Sequence, residues 1–192
     1  MTSKNTISER FLKHYKKKKT KRSGSKYVNF YSYEKSEFKT AKYGSGTNNP
    51  DQDFSMEKKK HPFFETGFDL MKKHPSIKLS DQFSLYYIVL VLEIENEIFH
   101  FKYLGLVGKN PNSRRSLGKR LSEHITGKKQ IVDILINLVG GRNTHFFPIW
   151  KSEEKELIEK SRDVVKTEKE FIKLYECYNS GKYPYYGLNA IE

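Results

Sequence analysis

Hydrophobic and polar positions follow two regimes along this chain, and the change between them falls at Phe83. From Phe83 to Leu92 the residues run Phe-Ser-Leu-Tyr-Tyr-Ile-Val-Leu-Val-Leu, a β-branched and aromatic stretch that predicts a buried strand. Ile98 to Leu106 predicts a second strand, returning after the polar turn Glu95-Asn96-Glu97, so the two form a hairpin. Gly105 and Gly108 with Asn110-Pro111-Asn112 then predict a loop. Leu117, Leu121 and Ile125 recur at helical spacing and predict a helix from Ser116 to Thr126. A second helix is expected from Gln130 to Val139, stopped by Gly140-Gly141, and Thr144 to Trp150 reads as a third strand. Glu153 to Tyr178 predicts a long helix with Leu157, Val164, Val165, Phe171, Ile172 and Tyr175 on one broad face. The order β-β-α-α-β-α describes an α+β domain over residues 81–192, with a small three-stranded mixed or antiparallel sheet flanked by helices.

Before Phe83 the pattern is weaker. Ile7 to Lys18 predicts a short basic helix, Ser23-Gly24-Ser25 breaks it, and Lys26 to Tyr33 reads as a short strand. Residues 44–53 have the composition of a linker, and Phe63 to Lys73 predicts a short helix. Residues 1–80 are therefore expected to be a basic, weakly structured N-terminal arm. The charge supports this division: the net +13 comes almost wholly from residues 1–80, which hold 19 Lys and Arg against 8 Asp and Glu. A basic segment on a nearly neutral domain suits a polyanion, because neutralised phosphates release condensed counterions. Tyr15, Tyr27, Phe30, Tyr31, Tyr33, Phe38 and Tyr43 interleave with that charge and suit base stacking, so nucleic acid is the expected partner. A merely solubilising tail is the plainer reading.

Cys177 is the single cysteine, which excludes an intramolecular disulfide and a cysteine metal site and fits a reducing, cytoplasmic setting. No apolar run has the length of a signal-peptide core at the start or of a membrane span anywhere, so no membrane partner is expected.

Chemistry concentrates in the second regime. Glu168 stands four after Val164 and four before Ile172, a carboxylate within the stripe that otherwise faces the core. An unpaired buried carboxylate costs several kcal/mol, so the position asks for a cation; a salt bridge at the edge of the stripe is the plainer alternative. A hard divalent cation is one answer, since it takes oxygen ligands and often only one protein carboxylate. Arg120 and His124 lie one turn apart on the first predicted helix of the domain and can point the same way. Facing a phosphate, a guanidinium stabilises the charge of a five-coordinate transition state and an imidazole binds oxygen or moves a proton. Alone, such a pair is more often a solvated helix edge.

These residues stand in the order Tyr103-Leu104-Gly105, Leu117 to His124, Glu168 to Ile172, Gly187-Leu188-Asn189. In that order, residues 84–189 resemble the GIY-YIG nuclease superfamily of homing, restriction and repair endonucleases. Tyr103-Leu104-Gly105 resembles the second signature tripeptide, Arg120 and His124 the first-helix motif, Glu168 the metal-site carboxylate and Asn189 the closing amide. The first tripeptide departs from the pattern: Leu85-Tyr86-Tyr87 lacks the glycine. Tyr87 is favoured as the counterpart of the first tyrosine because Ile88-Val89-Leu90 follows it directly, while Tyr86, on the opposite strand face, stays open. The stretch between Tyr103 and Arg120 is expanded by 110–116, with Arg114 and Arg115 inside it.

The resemblance implies a metal-dependent DNA endonuclease of restriction or mobile-element type, acting on double-stranded DNA. It implies Mg²⁺, or another divalent cation such as Mn²⁺, held by Glu168. Tyr103 would be the base, Tyr87 would position water or phosphate, Arg120 would stabilise the transition state, and His124 would bind phosphate or relay a proton. Asn189 would pin the local structure. Lys109, Arg120 and the metal would lower the phenol's proton affinity, whose unperturbed pKa is near 10. Lys109, Arg114, Arg115 and Lys119 are the expected DNA contacts. Cutting both strands with one small domain implies a homodimer, a paired encounter on DNA, or a nickase. The alternative is a catalytically inactive nucleic-acid-binding protein on the same fold.

Overall fold

The computed structural model describes residues 27–44, 61–94, 97–127, 130–178, 181–182 and 185–189. In chain order its elements are β1 (Tyr27–Glu34), β2 (Glu37–Gly44), α1 (Pro62–Lys73), β3 (Ser84–Ile94), β4 (Glu97–Val107), α2 (Leu117–Thr126), α3 (Ile131–Val139), β5 (Thr144–Lys151), α4 (Leu157–Leu174), β6 (Gly181–Lys182) and β7 (Tyr185–Gly187). The helix expected over Ile7–Lys18, and nearly all of the loop expected over 44–53, lie outside the described residues.

The apolar run after Phe83 becomes the central strand. β3 is buried on both faces from Ser84 to Leu92, as a continuous hydrophobic strand must be. β4 pairs with it antiparallel, setting Tyr86 opposite Gly105 and Ile88 opposite Tyr103. β5 pairs antiparallel on its other side, with a bulge between Leu85 and Tyr86. Pro148 sits in β5 beside that irregularity, beyond the short stretch at 145–146 where β5 pairs with β1, so no ladder bond to β1 is lost there.

The expected three-stranded sheet is corrected here. β5, β3 and β4 are only the middle of a mixed sheet in the order β2-β1-β5-β3-β4-β7-β6, whose outermost strand β6 is two residues long. The α+β class stands. β1 is the short strand expected over Lys26–Tyr33, now part of the same sheet, whereas β2, β6 and β7 come from segments with little apolar alternation. β1 and β2 form a hairpin through Lys35 and Ser36, both at positive φ (51° and 65°) as a tight two-residue turn requires. β1 then docks parallel on β5 at Asn29 and Phe30. At the opposite edge β7 runs parallel to β4 from His100 to Lys102. The boundary expected at residue 80 thus cuts through one sheet, and the described part of the basic arm is folded into the core, with Val28, Phe30 and Tyr31 buried.

Helices cover both faces. Tyr86, Ile88 and Leu90 point to the side packed by Leu117 and Leu121 of α2 and Val132, Leu135 and Ile136 of α3. Leu85, Tyr87 and Val89 point to the side packed by Phe64, Leu70 and Met71 of α1 and Val164 of α4. α4 is shorter than expected at both ends: Glu176 takes a left-handed φ of 49° just past its C-terminus, and Leu157, expected on the core stripe, is 54 % exposed. Among the described residues, no helix is long and apolar enough to cross a membrane.

Three histidines make this fold acid-sensitive. His61 caps α1, its Nδ1 accepting from the Phe63 N–H at 3.2 Å, and burial pulls its pKa down to about 4. Burial also lowers His74 and His124. Each imidazole binds its proton more readily in the unfolded chain, so its stabilisation is complete above the unfolded value of about 6.5 and is lost as pH falls through the folded value. The urea midpoint should therefore drop between about pH 7 and about pH 4.5. His61→Asn, which keeps a capping oxygen but does not titrate, should show a smaller drop; an undiminished one would locate the acid sensitivity elsewhere.

Candidate active site

The site begins with the alternation of β3. Because neighbouring strand residues face opposite ways, Tyr86 enters the α2 and α3 side and Tyr87 the α1 and α4 side. Tyr87 packs near Phe147 and Cys177, away from the other candidates, and burial holds its phenol well above the ordinary value. The favoured first tyrosine is corrected accordingly. Tyr86 is the one that reaches the predicted Arg and His.

Gly105 permits that reach. A Cβ at this position would lie 2.3 Å from the Tyr86 hydroxyl, so the glycine opposite Tyr86 leaves the space into which the phenol projects. The hydroxyl accepts from Arg120 Nε at 3.0 Å and lies 2.7 Å from His124 Nε2. Tyr103, from β4, packs edge-on against the His124 ring with centroids 5.7 Å apart and lies 6.3 Å from the Tyr86 ring. It is half-buried, whereas Tyr86 is fully enclosed.

Arg120 and His124 reach the phenols because α2 starts at the Ser116 N-cap, whose side chain accepts from Lys119 N, and buries Leu117 and Leu121 on the sheet. His124 is not on a solvated edge but is completely buried. Arg120 is held by three groups: Nε by Tyr86, Nη1 by Glu123 at 3.2 Å and Nη2 by Gln130 at 3.2 Å. Burial works against its charge, but the two phenols and Glu123 more than offset this and raise its pKa further above the normal range. His124 Nδ1 lies 2.6 Å from Asp133 Oδ1 on α3. Asp133 is a site residue that the motif reading missed. Its signal was present, as a lone carboxylate between the buried Val132 and Ile136 of a helix whose other polar residue is Asn137.

Glu168 is half-buried on α4, one residue after the buried Thr167. Its negative charge contributes to raising the proton affinity of both Tyr86 and Tyr103, although burial is the main cause for each. Arg120 opposes the rise at both phenols. Lys109 is exposed in the loop after β4, where its carbonyl accepts from Ser161 Oγ at 2.6 Å. Arg114, Arg115 and Lys119 are exposed at the start of α2, and Arg115 also pairs with Glu123 at 3.2 Å.

Asn189 closes the arrangement from below. Its side chain accepts from Leu104 N at 2.9 Å and donates to Leu104 O at 2.6 Å, completing the edge of β4 beyond the end of β7. It touches Leu104 between the two site positions Tyr103 and Gly105, so its geometry is that of a structural pin. Gly187 lets this segment pass tightly, since a Cβ there would lie 1.9 Å from the Tyr178 carbonyl oxygen.

Glu168 acts electrostatically on both phenols, and a hard cation that takes most of its ligands from water and phosphate needs only one such carboxylate. Among the described residues there is no group of three or more His, Cys, Asp and Glu side chains arranged to hold a metal. No family model matches the chain, and neither a curated protein nor a solved structure matches it significantly.

Gly105→Ala should displace the Tyr86 ring and cost about 1–3 kcal/mol, as overpacking a filled core does. Urea denaturation measures the loss, and a Tyr86→Phe background should relieve part of it by removing the hydroxyl oxygen nearest the added methyl.

Proposed function

We propose that this protein is a divalent-metal-dependent DNA endonuclease, of restriction or mobile-element type, that hydrolyses phosphodiester bonds in double-stranded DNA. One observation carries the reading. Arg120 and His124 meet at the buried Tyr86 hydroxyl with Tyr103 beside them, Glu168 of α4 acts electrostatically on both phenols, and these residue types are those that phosphodiester hydrolysis uses.

Glu168 would hold a Mg²⁺ or Mn²⁺ ion, which would supply positive charge for the scissile phosphate and the leaving oxygen. Tyr103 is the more exposed phenol and is the group that meets the attacking water. Arg120, kept oriented by Tyr86, Glu123 and Gln130, turns positive charge toward both phenols. His124 serves the buried Tyr86 and does not contact phosphate directly. Arg114, Arg115, Lys119 and Lys109 form the exposed basic set available to the DNA backbone, joined by Lys39 and Lys42 of β2. β2 is tied to α2 by Tyr43, whose hydroxyl donates to the Gly118 carbonyl at 3.1 Å. Double-strand cutting then takes two copies on one DNA or two successive visits by one copy.

The second reading, a nucleic-acid-binding protein without activity, draws on a specific feature: Arg120 is already committed to three protein groups, and burial keeps both phenols protonated. Supercoiled-plasmid cleavage with Mg²⁺ separates the two. Wild-type cleavage should fall by on the order of 10²-fold or more in Glu168→Ala and in Arg120→Ala, and vanish with EDTA. Tyr86→Phe should impair it, while Tyr87→Phe should leave it intact because that ring packs near Phe147 and Cys177, away from Arg120 and His124. DNA binding without cleavage, over a panel of plasmids wide enough to contain a recognition site, would favour the binding protein.

A further inference from the structure

Asp133 is an acid in the wrong place for a purely local role. It stands in the first turn of α3, where a helix N-terminus welcomes negative charge, and its Oδ2 accepts from the Gln130 N–H at 3.3 Å. That cap needs one oxygen and no burial, yet Asp133 is only 6 % exposed and turns Oδ1 to His124 Nδ1 at 2.6 Å. The chain makes room for it: a Cβ on Gly127 would lie 2.4 Å from Oδ2.

His124 lies enclosed among Arg120 and Glu123 of its own helix, Asp133 of α3, Tyr86 of β3 and Tyr103 of β4. Burial, the largest influence, lowers its pKa despite the hydrogen bond to Asp133, so the ring is neutral and carries a single N–H. At 2.6 Å from a carboxylate, Nδ1 must be the donor. Nε2 then holds the lone pair, and the Tyr86 hydroxyl at 2.7 Å must donate to it while its oxygen accepts from Arg120 Nε. The direction of the whole chain is set at its Asp133 end.

We propose that Asp133 is a positioning residue of the site: it locks His124 in the Nδ1–H tautomer, so that Nε2 is the acceptor for the Tyr86 proton. The step balances within the protein. At rest the phenol keeps its proton; transfer would break the O–H bond of Tyr86 and form an N–H bond at Nε2, with the imidazolium offset by Asp133 and the phenolate by Arg120. No outside reactant is needed. The catalytic part of this role rests on the nuclease reading above, whereas the tautomer does not.

The test is ¹⁵N NMR of the histidine rings in the full chain near neutral pH, with His124→Gln assigning the signal, beside plasmid cleavage as a function of pH. The wild type should show His124 protonated at Nδ1 and bare at Nε2. Asp133→Asn offers an amide that can donate as well as accept, so the Nδ1–H preference should be lost, cleavage should fall by on the order of 10²-fold, and its pH profile should shift. A wild-type ring protonated at Nε2 would overturn the proposal, and needs no variant to fold. An unchanged tautomer and unshifted profile in Asp133→Asn would overturn it equally. A wild type that shows the Nδ1–H tautomer but cuts no DNA would sink the nuclease reading while supporting the tautomer lock.

Discussion

Two tyrosines side by side on a strand cannot serve the same face. This constraint of the pleat, applied to Tyr86 and Tyr87 in the middle of β3, organises the molecule. Both rings are large and fully buried, so each face must be roofed by helices, and the chain supplies α2 and α3 for one and α1 and α4 for the other. The hydroxyls then differ in surroundings. Tyr86 finds an arginine and a histidine, while Tyr87 lies near a cysteine thiol that burial raises to about 12.

The polar cluster around Tyr86 is held inside a core that is otherwise apolar, which is costly unless donors and acceptors are matched. Here they are: Asp133, His124, Tyr86 and Arg120 form a continuous hydrogen-bonded series, and Glu123 with Gln130 takes up the remaining arms of the guanidinium. The rigidity of such a series comes from its completeness. Removing one member leaves its neighbours buried without their partners, and that penalty exceeds the value of the lost bond.

Much of this could be read from residue patterns, and the failures have physical causes. β3, β4, α2, α3 and β5 follow strong periodicities over eight or more residues, and their expected spans lie close to the observed ones. β2 reads Glu-Phe-Lys-Thr-Ala-Lys-Tyr-Gly and is exposed nearly throughout, so no apolar face announces it; only pairing with β1 makes it a strand. β7 is three residues long and is held by its neighbour β4 and by the bonds of Asn189. Of the residues that motif order singled out, Tyr103, Arg120 and His124 lie together around Tyr86, and Asn189 bonds Leu104. The choice of Tyr87 leaned on the aliphatic run behind it, although face alternation cannot by itself say which side the helices bearing Arg120 will cover. Asp133 escaped because it belongs to no motif.

The two edges of the three central strands are completed by distant parts of the chain. Leu104 is bonded by Asn189 across 85 residues, and Asn29 reaches the start of β5 across 115. The β3 and β4 hairpin, by contrast, closes over a few residues. Loop-closure entropy grows with separation, so local pairs form readily and distant ones only after the intervening chain is ordered. Contact separation alone therefore favours the hairpin that carries both Tyr86 and Tyr103 over the pin that steadies Leu104 between Tyr103 and Gly105 as the earlier contact to form. A chain caught halfway holds its two phenols on a strand pair whose outer edge is still open, and so has the residues of the site without its shape.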